Sequence, residues 1–392
     1  MANEALIVSG LRTPIGSLSG SLSTVPAPRL AATCIKAALE RAKVPVDEVD
    51  EVILGNVLSA GVGQAPARQA AIYAGIPPAA GAMTINKVCG SGLKSVMLAA
   101  QSIALGESNI VVAGGMENMS LAPYLLTKAR SGYRMGNGEI VDAMIYDGLW
   151  DIYGGKSMGV FGDKCAEKCG FSRKDQDDYA VRSYTRARKA MHEGIFDDEI
   201  VPVEIPAKDK PIVVSEDEEP QRFNEDKLRA LRASFGKEGT VTAGNASSIN
   251  DGAAALIVVS DRKCTSLQLK PIARVVGSAT FSQEPEWFTL APIGAIRKLM
   301  DKINWSVPKT DLFEINEAFS AVSMAAMKDL EIPAEKCNIY GGAVAIGHPI
   351  GCSGARILVT LLNGLKRTGG KRGIASLCIG GGEAVALAVE LI

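Results

Sequence analysis

Histidine is almost missing from this chain: His192 and His348 are the only two in 392 residues. That scarcity bears on metal binding. Cys165 and Cys169 lie four apart, but no His or Asp cluster stands beside them at zinc spacing, so one helix face is the simpler reading and no metal is expected. An excess of one charge is missing too. The net charge of -1 argues against a nucleic-acid binder that relies on bulk positive charge. No apolar run reads as long enough to span a membrane, so no membrane partner is expected. The chain enters a strand pattern at Ala5-Leu6-Ile7-Val8, which leaves no room for a signal or transit peptide. Its last residues, Val389-Glu390-Leu391-Ile392, are no peroxisomal tripeptide. The eight cysteines are scattered, not spaced as a disulfide framework. The expected setting is cytoplasmic and reducing, with free thiols.

What remains is a globular composition, in a chain too long for one ordinary core, so two or three domains are expected. Ala5–Ser9 reads as a strand, 28–42 as a helix, and 49–57 as a second strand. A short helix over 67–74 follows, then a helix after Cys89, with Leu93, Val96, Met97, Ala100 and Ile103 at helical spacing. Asn109–Gly115 is a buried strand ending in glycines. Strands alternating with helices predict an α/β fold with a largely parallel sheet. From about 116 to 242 the pattern loosens into what reads as an insertion that covers something. Ser172 reads as the cap of a long polar helix, with Asp175 in the place usual for Glu.

The second half repeats the first. Ile35-Lys36-Ala37-Ala38-Leu39 answers to Ile296-Arg297-Lys298-Leu299-Met300, and Val46 and Asp50 to Val307 and Asp311, 261 positions on. Ser91-Gly92 answers to Ser353-Gly354 at an offset of 262. Asn109–Gly115 answers to 374–382. Two similar α/β units are the reading, with chance likeness as the alternative.

Four stretches carry chemistry. In Val88-Cys89-Gly90-Ser91-Gly92 a cysteine stands at the mouth of a helix, where oriented N–H groups and the helix dipole favour the reactive thiolate. The alternative is a structural cysteine. His348 is walled by glycine and proline in Gly347-His348-Pro349-Ile350-Gly351, which suits a base beside a thiol better than a core residue. Cys378 ends a buried strand before Gly380-Gly381-Gly382, a turn whose N–H groups suit an oxyanion. A buried core cysteine is the alternative there. Asn316, in Asn316-Glu317-Ala318-Phe319, either orients water or a carbonyl, or caps the helix that follows.

These blocks, with Gly114–Ser120 and Thr240–Ser247, resemble the signature blocks of the thiolases, along essentially the whole chain. The pattern is most similar to the short-chain acetyl-CoA acetyltransferases within that family. The resemblance implies two βαβαβαββ halves in a five-layer α-β-α-β-α sandwich, with an inserted loop domain. The implied division is 1–118 plus 243–270, an insertion over 119–242, and 271–392. It implies Cys89 as the acyl-carrying nucleophile, His348 as its base, and Cys378 as a second acid/base. Asn316 would hold a water that forms one oxyanion hole with His348, and the N–H groups of Cys89 and Gly380 the other. Ser247 would lie along the pantetheine arm of CoA. Ala243, Leu149, Met158, Arg222, Phe235, Ala318, Phe319 and Phe288 are the further expected contacts. Acetyl-CoA, acetoacetyl-CoA and CoA would be substrates, no cofactor would be needed, and the assembly would be a homotetramer. Two positions depart from the pattern. Ser157 stands where many short-chain members have His, and Phe288 where methionine is common.

Overall fold

The computed structural model describes residues 3–392. The first half lays down β1 (Ala5–Arg12), α1 (Ala27–Ala42), β2 (Glu51–Gly55), α2 (Pro66–Tyr73), β3 (Gly81–Ile85), α3 (Ser91–Leu105) and β4 (Ile110–Asn118). A long excursion follows, with α4 (Met158–Cys169) and α5 (Arg173–His192) inside it. The chain then returns as β5 (Asn250–Ser260). The second half runs β6 (Ala273–Ser282), α6 (Ala291–Ile303), β7 (Leu312–Ile315), α7 (Ser320–Leu330), α8 (Ser353–Thr368), β8 (Arg372–Ile379) and β9 (Glu383–Leu391). Only the counterpart of β3 is reduced, to a single parallel bridge between Phe313 and Cys337.

The strand order is β7-β8-β9-β6-β1-β5-β4-β2-β3. The β1–β6 junction spans two residue pairs, so two sheets meet there edge to edge. The sheets are mixed, not largely parallel. Only β2–β3, β2–β4 and β7–β8 are parallel. A parallel pair needs a crossover, usually a helix. The strands β8 and β9 are joined by the short glycine turn, which leaves only the antiparallel pairing.

Side chains sort the layers. In β2, Val52 and Leu54 pack with α1 and α2, while Ile53 packs with α3 and α8. In β5, Ala255, Ile257 and Val259 face the first of these layers, and Leu256 and Val258 the second. On the other sheet Ile374 packs with α6, and Leu377 faces α3 and α8. The order is α1/α2, sheet, α3/α8, sheet, α6/α7. Strands buried on both faces read as continuous apolar runs, which is how they stood out in the sequence.

The repeat extends to hydrogen bonds. Asp50 Oδ2 accepts the N–H groups of Asn109 and Ile110 at 2.7 and 2.9 Å. Asp311 Oδ2 accepts those of Lys371 and Arg372 at 2.7 and 2.8 Å. One carboxylate in each half therefore ties the approach to β2 or β7 to the start of the neighbouring strand.

The central helices α3 and α8 start tip to tip. A Cβ on Gly354 would stand 2.3 Å from the Leu93 nitrogen, and one on Gly92 would stand 2.7 Å from that of Ala355. Only glycine permits this approach. It brings the residues before α3, including Cys89, against the loop before α8, including His348. The stretch Val88–Leu105 has a mean hydropathy of 1.3 over 18 residues and reaches membrane-spanning length and composition, contrary to the sequence reading. Its apolar side chains are spent on the layer between the two sheets.

Two buried carboxylate clusters fasten the excursion. The Arg12 guanidinium donates to Glu199 at 2.6 Å and to both oxygens of Asp217 at 2.7 and 2.8 Å. Glu317 accepts from Tyr179 and Ser183 of α5 at 2.8 and 2.7 Å. The cap at Ser172 is a full capping box with Asp175. Arg12→Ala would strand Glu199 and Asp217 in the interior. Breaking one partner of a buried pair costs about 3–5 kcal/mol, and a lowered urea midpoint is the expected reading.

Candidate active site

The loop before α3 is bent into a rare conformation. Val88 has φ of +45°, which costs a β-branched residue strain. Three hydrogen bonds hold it there. Asn86 Oδ1 accepts the Val88 N–H at 2.9 Å. Ser91 Oγ accepts the Lys87 N–H at 2.8 Å and donates to the Val88 carbonyl at 2.7 Å. Cys89 follows, half-buried, on the wall of a cavity of about 560 Å³.

The thiol is not the resting thiolate that the sequence suggested. Burial pushes Cys89 up to about 11; the N–H groups of Gly380 and of Cys89 itself pull it down, and Glu117 adds to the rise. The helix begins at Ser91 with Gly90 as its cap, so Cys89 stands outside the first turn. A helix end is worth at most about 2 kcal/mol, or roughly 1.5 pK units, and burial outweighs it.

His348 lines the same cavity. Its backbone N–H donates to Asn250 Oδ1 at 2.9 Å. Nδ1 lies 2.5 Å from Ser353 Oγ, and that hydroxyl donates its own hydrogen to the Pro349 carbonyl at 2.9 Å. Ser353 therefore accepts from Nδ1–H, which leaves Nε2 unprotonated, with Asn316 Nδ2 at 3.5 Å as its donor. Burial, then the charge of Arg356, pushes His348 down to about 3. The ring is a neutral base at physiological pH.

The sign of the pH dependence follows. A histidine depressed in the fold but ordinary in the unfolded chain, about 6.5, binds its proton preferentially when unfolded. Its contribution to stability is present above the unfolded value and is lost as pH falls toward about 3. Denaturant midpoints should fall more steeply between pH 6.5 and 3 in the native protein than in His348→Asn.

Asn316 Nδ2 lies 3.5 Å from His348 Nε2, and Asn316 Oδ1 is buried without a protein partner. The capping alternative does not hold, because α7 starts at Ser320 with Phe319 as its cap residue. Cys378 is fully buried near the end of β8, in one cluster with Met158, Phe288, Ala318 and Phe319. Burial and the neighbouring Cys89 push its thiol well above the ordinary range. Neither Asn316 nor Cys378 is among the described residues of the cavity wall.

The other expected residues do line the cavity: Gly380, Ser247, Ala243, Leu149, Met158, Arg222, Phe235, Ala318, Phe319 and Phe288. Ser247 donates from its N–H and hydroxyl to the Ala318 carbonyl at 3.0 and 3.1 Å, so wall segments from the two halves are joined there. Phe288 meets Phe161 edge to face at 6.0 Å, and Phe235 meets Phe319 likewise at 6.5 Å. Ser157 also lines the cavity. Sequence reasoning gave Ser353 no role beyond the repeat, and gave none to Asn250. Spacing was the available signal for Ser353, five residues after His348 at the start of a helix.

A thiol, a neutral imidazole with an unprotonated Nε2 and backbone N–H donors around one cavity form a set for acyl transfer. Comparison with known proteins agrees. The model of the thiolase N-terminal domain matches residues 5–262, and that of the thiolase C-terminal domain matches 269–391. The chain belongs to the thiolase family.

Among its relatives, an acetyl-CoA acetyltransferase of Cupriavidus necator is 51% identical over 389 residues, 99% of each chain. Acetyl-CoA acetyltransferase IB of Candida tropicalis is 52% identical over 392 residues, 98% of this thiolase and 97% of the relative. The crystal structure of the Bacillus anthracis acetyl-CoA acetyltransferase superposes with a TM-score of 0.97 at 43% identity, covering 100% of this chain and 99% of that one.

Proposed function

We propose that this thiolase is an acetyl-CoA C-acetyltransferase, joining two acetyl-CoA molecules into acetoacetyl-CoA and CoA, and running the reverse thiolysis. His348 Nε2 takes the Cys89 thiol proton as the sulfur attacks the acetyl carbonyl. The C–S bond to CoA breaks, and CoA leaves as the thiol with the proton of Cys378, which becomes a thiolate. The Cys378 thiolate takes a proton from the methyl carbon of a second acetyl-CoA. The resulting carbanion attacks acetyl-Cys89, acetoacetyl-CoA departs, and the Cys89 sulfur takes its proton back from His348. The N–H groups of Cys89 and Gly380 hold one oxyanion, and Asn316 with His348 holds the other through a water. The cavity residues from Leu149 to Phe319 hold the CoA arm. The thioesters are substrates, and the chemistry needs no added cofactor.

The observation that carries this reading is the meeting of Cys89 with a neutral His348 of unprotonated Nε2 on one cavity. Incubation with acetyl-CoA labelled in the acetyl group tests it. A stable acetyl adduct on the Cys89 peptide, released by CoA, is the expected result, and a protein that binds acetyl-CoA but takes no label on Cys89 would sink the reading. A wider acyl range is the second reading, favoured by the flat ring of Phe288 on the cavity wall, backed by Phe161. Turnover of 2-methyl 3-ketoacyl-CoA against acetoacetyl-CoA decides it.

The assembly we propose is a homotetramer. Tyr124, Leu126, Met135 and Ile140 leave apolar side chains exposed on one segment of the excursion, as a buried subunit contact requires. Light scattering should give four times the 41.1 kDa chain mass.

A further inference from the structure

We propose that Glu117 is a positioning residue that ties the Cys89 loop to the His348 loop. The proposal deepens the reading of Cys89 and His348 given above and rests on it.

Glu117 lies near the end of β4 and is fully buried. Its Oε1 accepts from Asn56 Nδ2 at 2.7 Å and from the Leu58 N–H at 3.1 Å. Its Oε2 accepts from the Val57 N–H at 3.0 Å and the Gly351 N–H at 2.9 Å. These four donors come from two loops. Residues 56–58 leave the sheet after β2. Gly351 closes the loop that begins at Gly347 and carries His348. A Cβ on Gly351 would stand 2.6 Å from Glu117 Oε2, so the carboxylate and that loop are fitted to each other.

The first loop leads on to Cys89. The Val57 carbonyl accepts from Asn86 Nδ2 at 3.5 Å. Asn86 Oδ1 in turn holds the strained Val88, the residue before Cys89. The path is continuous: His348 loop, Glu117, residues 56–58, Asn86, Val88, Cys89.

Only a carboxylate suits the centre of this path. An ionised carboxylate has about four acceptor sites and no hydrogen, and four donors aim at it here. An amide of the same shape would turn its NH₂ against two of them. Burial pushes Glu117 up to about 7, against the pull of the four donors. The titratable groups that face it are two thiols, Cys89 and Cys352, and its charge pushes both of them up. Ionised Glu117 thus fixes both loops and adds to the burial that keeps the Cys89 thiol protonated.

Glu117→Gln in the intact protein is the test, with two readouts. In thiolysis of acetoacetyl-CoA, kcat should fall about 10- to 100-fold with little change in KM, as expected for a misplaced nucleophile–base pair. The rate of iodoacetamide alkylation at Cys89, followed by peptide mass spectrometry across neutral and alkaline pH, should rise in the variant, because a negative charge beside the thiol is gone. A merely structural residue would not move that profile in this direction. Wild-type kcat in a folded variant, or an unchanged alkylation profile, would overturn the proposal. If the variant does not fold, the native protein suffices: its Cys89 profile should show an inflection near pH 7 where Glu117 titrates, and a profile with the thiol's inflection alone would overturn it. Acetyl label on a residue other than Cys89 in the native protein would instead count against the mechanism itself.

Discussion

Cys89→Ala abolishes both half-reactions. No other thiol lies on the cavity wall to take the acetyl group, since Cys378 lies behind it. Loss of a nucleophile that works as a unit with its base costs on the order of 10⁴–10⁶-fold in kcat, leaving what binding and oxyanion donors supply. Cys89→Ser should do little better. A thiol pushed up to about 11 is within reach of a neutral imidazole during attack, whereas a serine hydroxyl is far less acidic. Acetyl-CoA binding should survive in both variants, because the residues along the CoA arm are untouched. The measurement pairs turnover with acetyl label on the intact protein. Label retained in Cys89→Ala, at stoichiometry near that of the native protein, would show that another residue carries the acyl group.

The repeat was legible because it is written locally, whereas the layers came only from the family resemblance. Val46–Asp50 and Val307–Asp311 have the same spacing, and the structure gives each aspartate an equivalent pair of N–H partners. The motif blocks around Cys89, His348 and Gly380 were legible for the same reason: glycine and proline mark where backbone must bend or come close. Two readings failed where the outcome depends on what packs around a residue. The resting thiolate was argued from a helix end, a small effect, and burial reversed it. The parallel sheet was argued from strand–helix alternation, but the last two strands of each half have no helix between them that crosses the sheet. Ser353 was legible only through its spacing, five residues after His348, whereas Glu117 was illegible as a functional group. Its partner Gly351 comes from the other half of the chain, brought close where α3 and α8 meet tip to tip. Nothing in the spacing of Gly114–Ser120 tells a reader that its glutamate faces a loop more than two hundred residues away.

Cys378→Ala should separate the two cysteines by role. Cys89 takes the acyl group, whereas Cys378 is proposed only to move protons. It sits fully buried beside Cys89, in the cluster that backs the cavity wall, and burial with the neighbouring Cys89 pushes its thiol well above the ordinary range. Once it has given its proton to the departing CoA sulfur, it is a thiolate that burial makes strongly basic, which suits it to take a proton from carbon. Removing a well-placed acid/base costs about 10²–10⁴-fold, so condensation should fall by that factor. Acetylation of Cys89 should survive far better, because His348 with its unprotonated Nε2 and the N–H of Gly380 remain. The cavity that alanine leaves is small, and folding should persist. Two measurements on the same preparation decide: label on Cys89 from acetyl-CoA, and deuterium uptake into the methyl group of free acetyl-CoA in deuterated solvent. Retained label with lost exchange is the expected pair. Exchange at the native rate in Cys378→Ala would remove Cys378 as the carbon base and leave His348, the base on the cavity wall, to serve both the sulfur and the carbon.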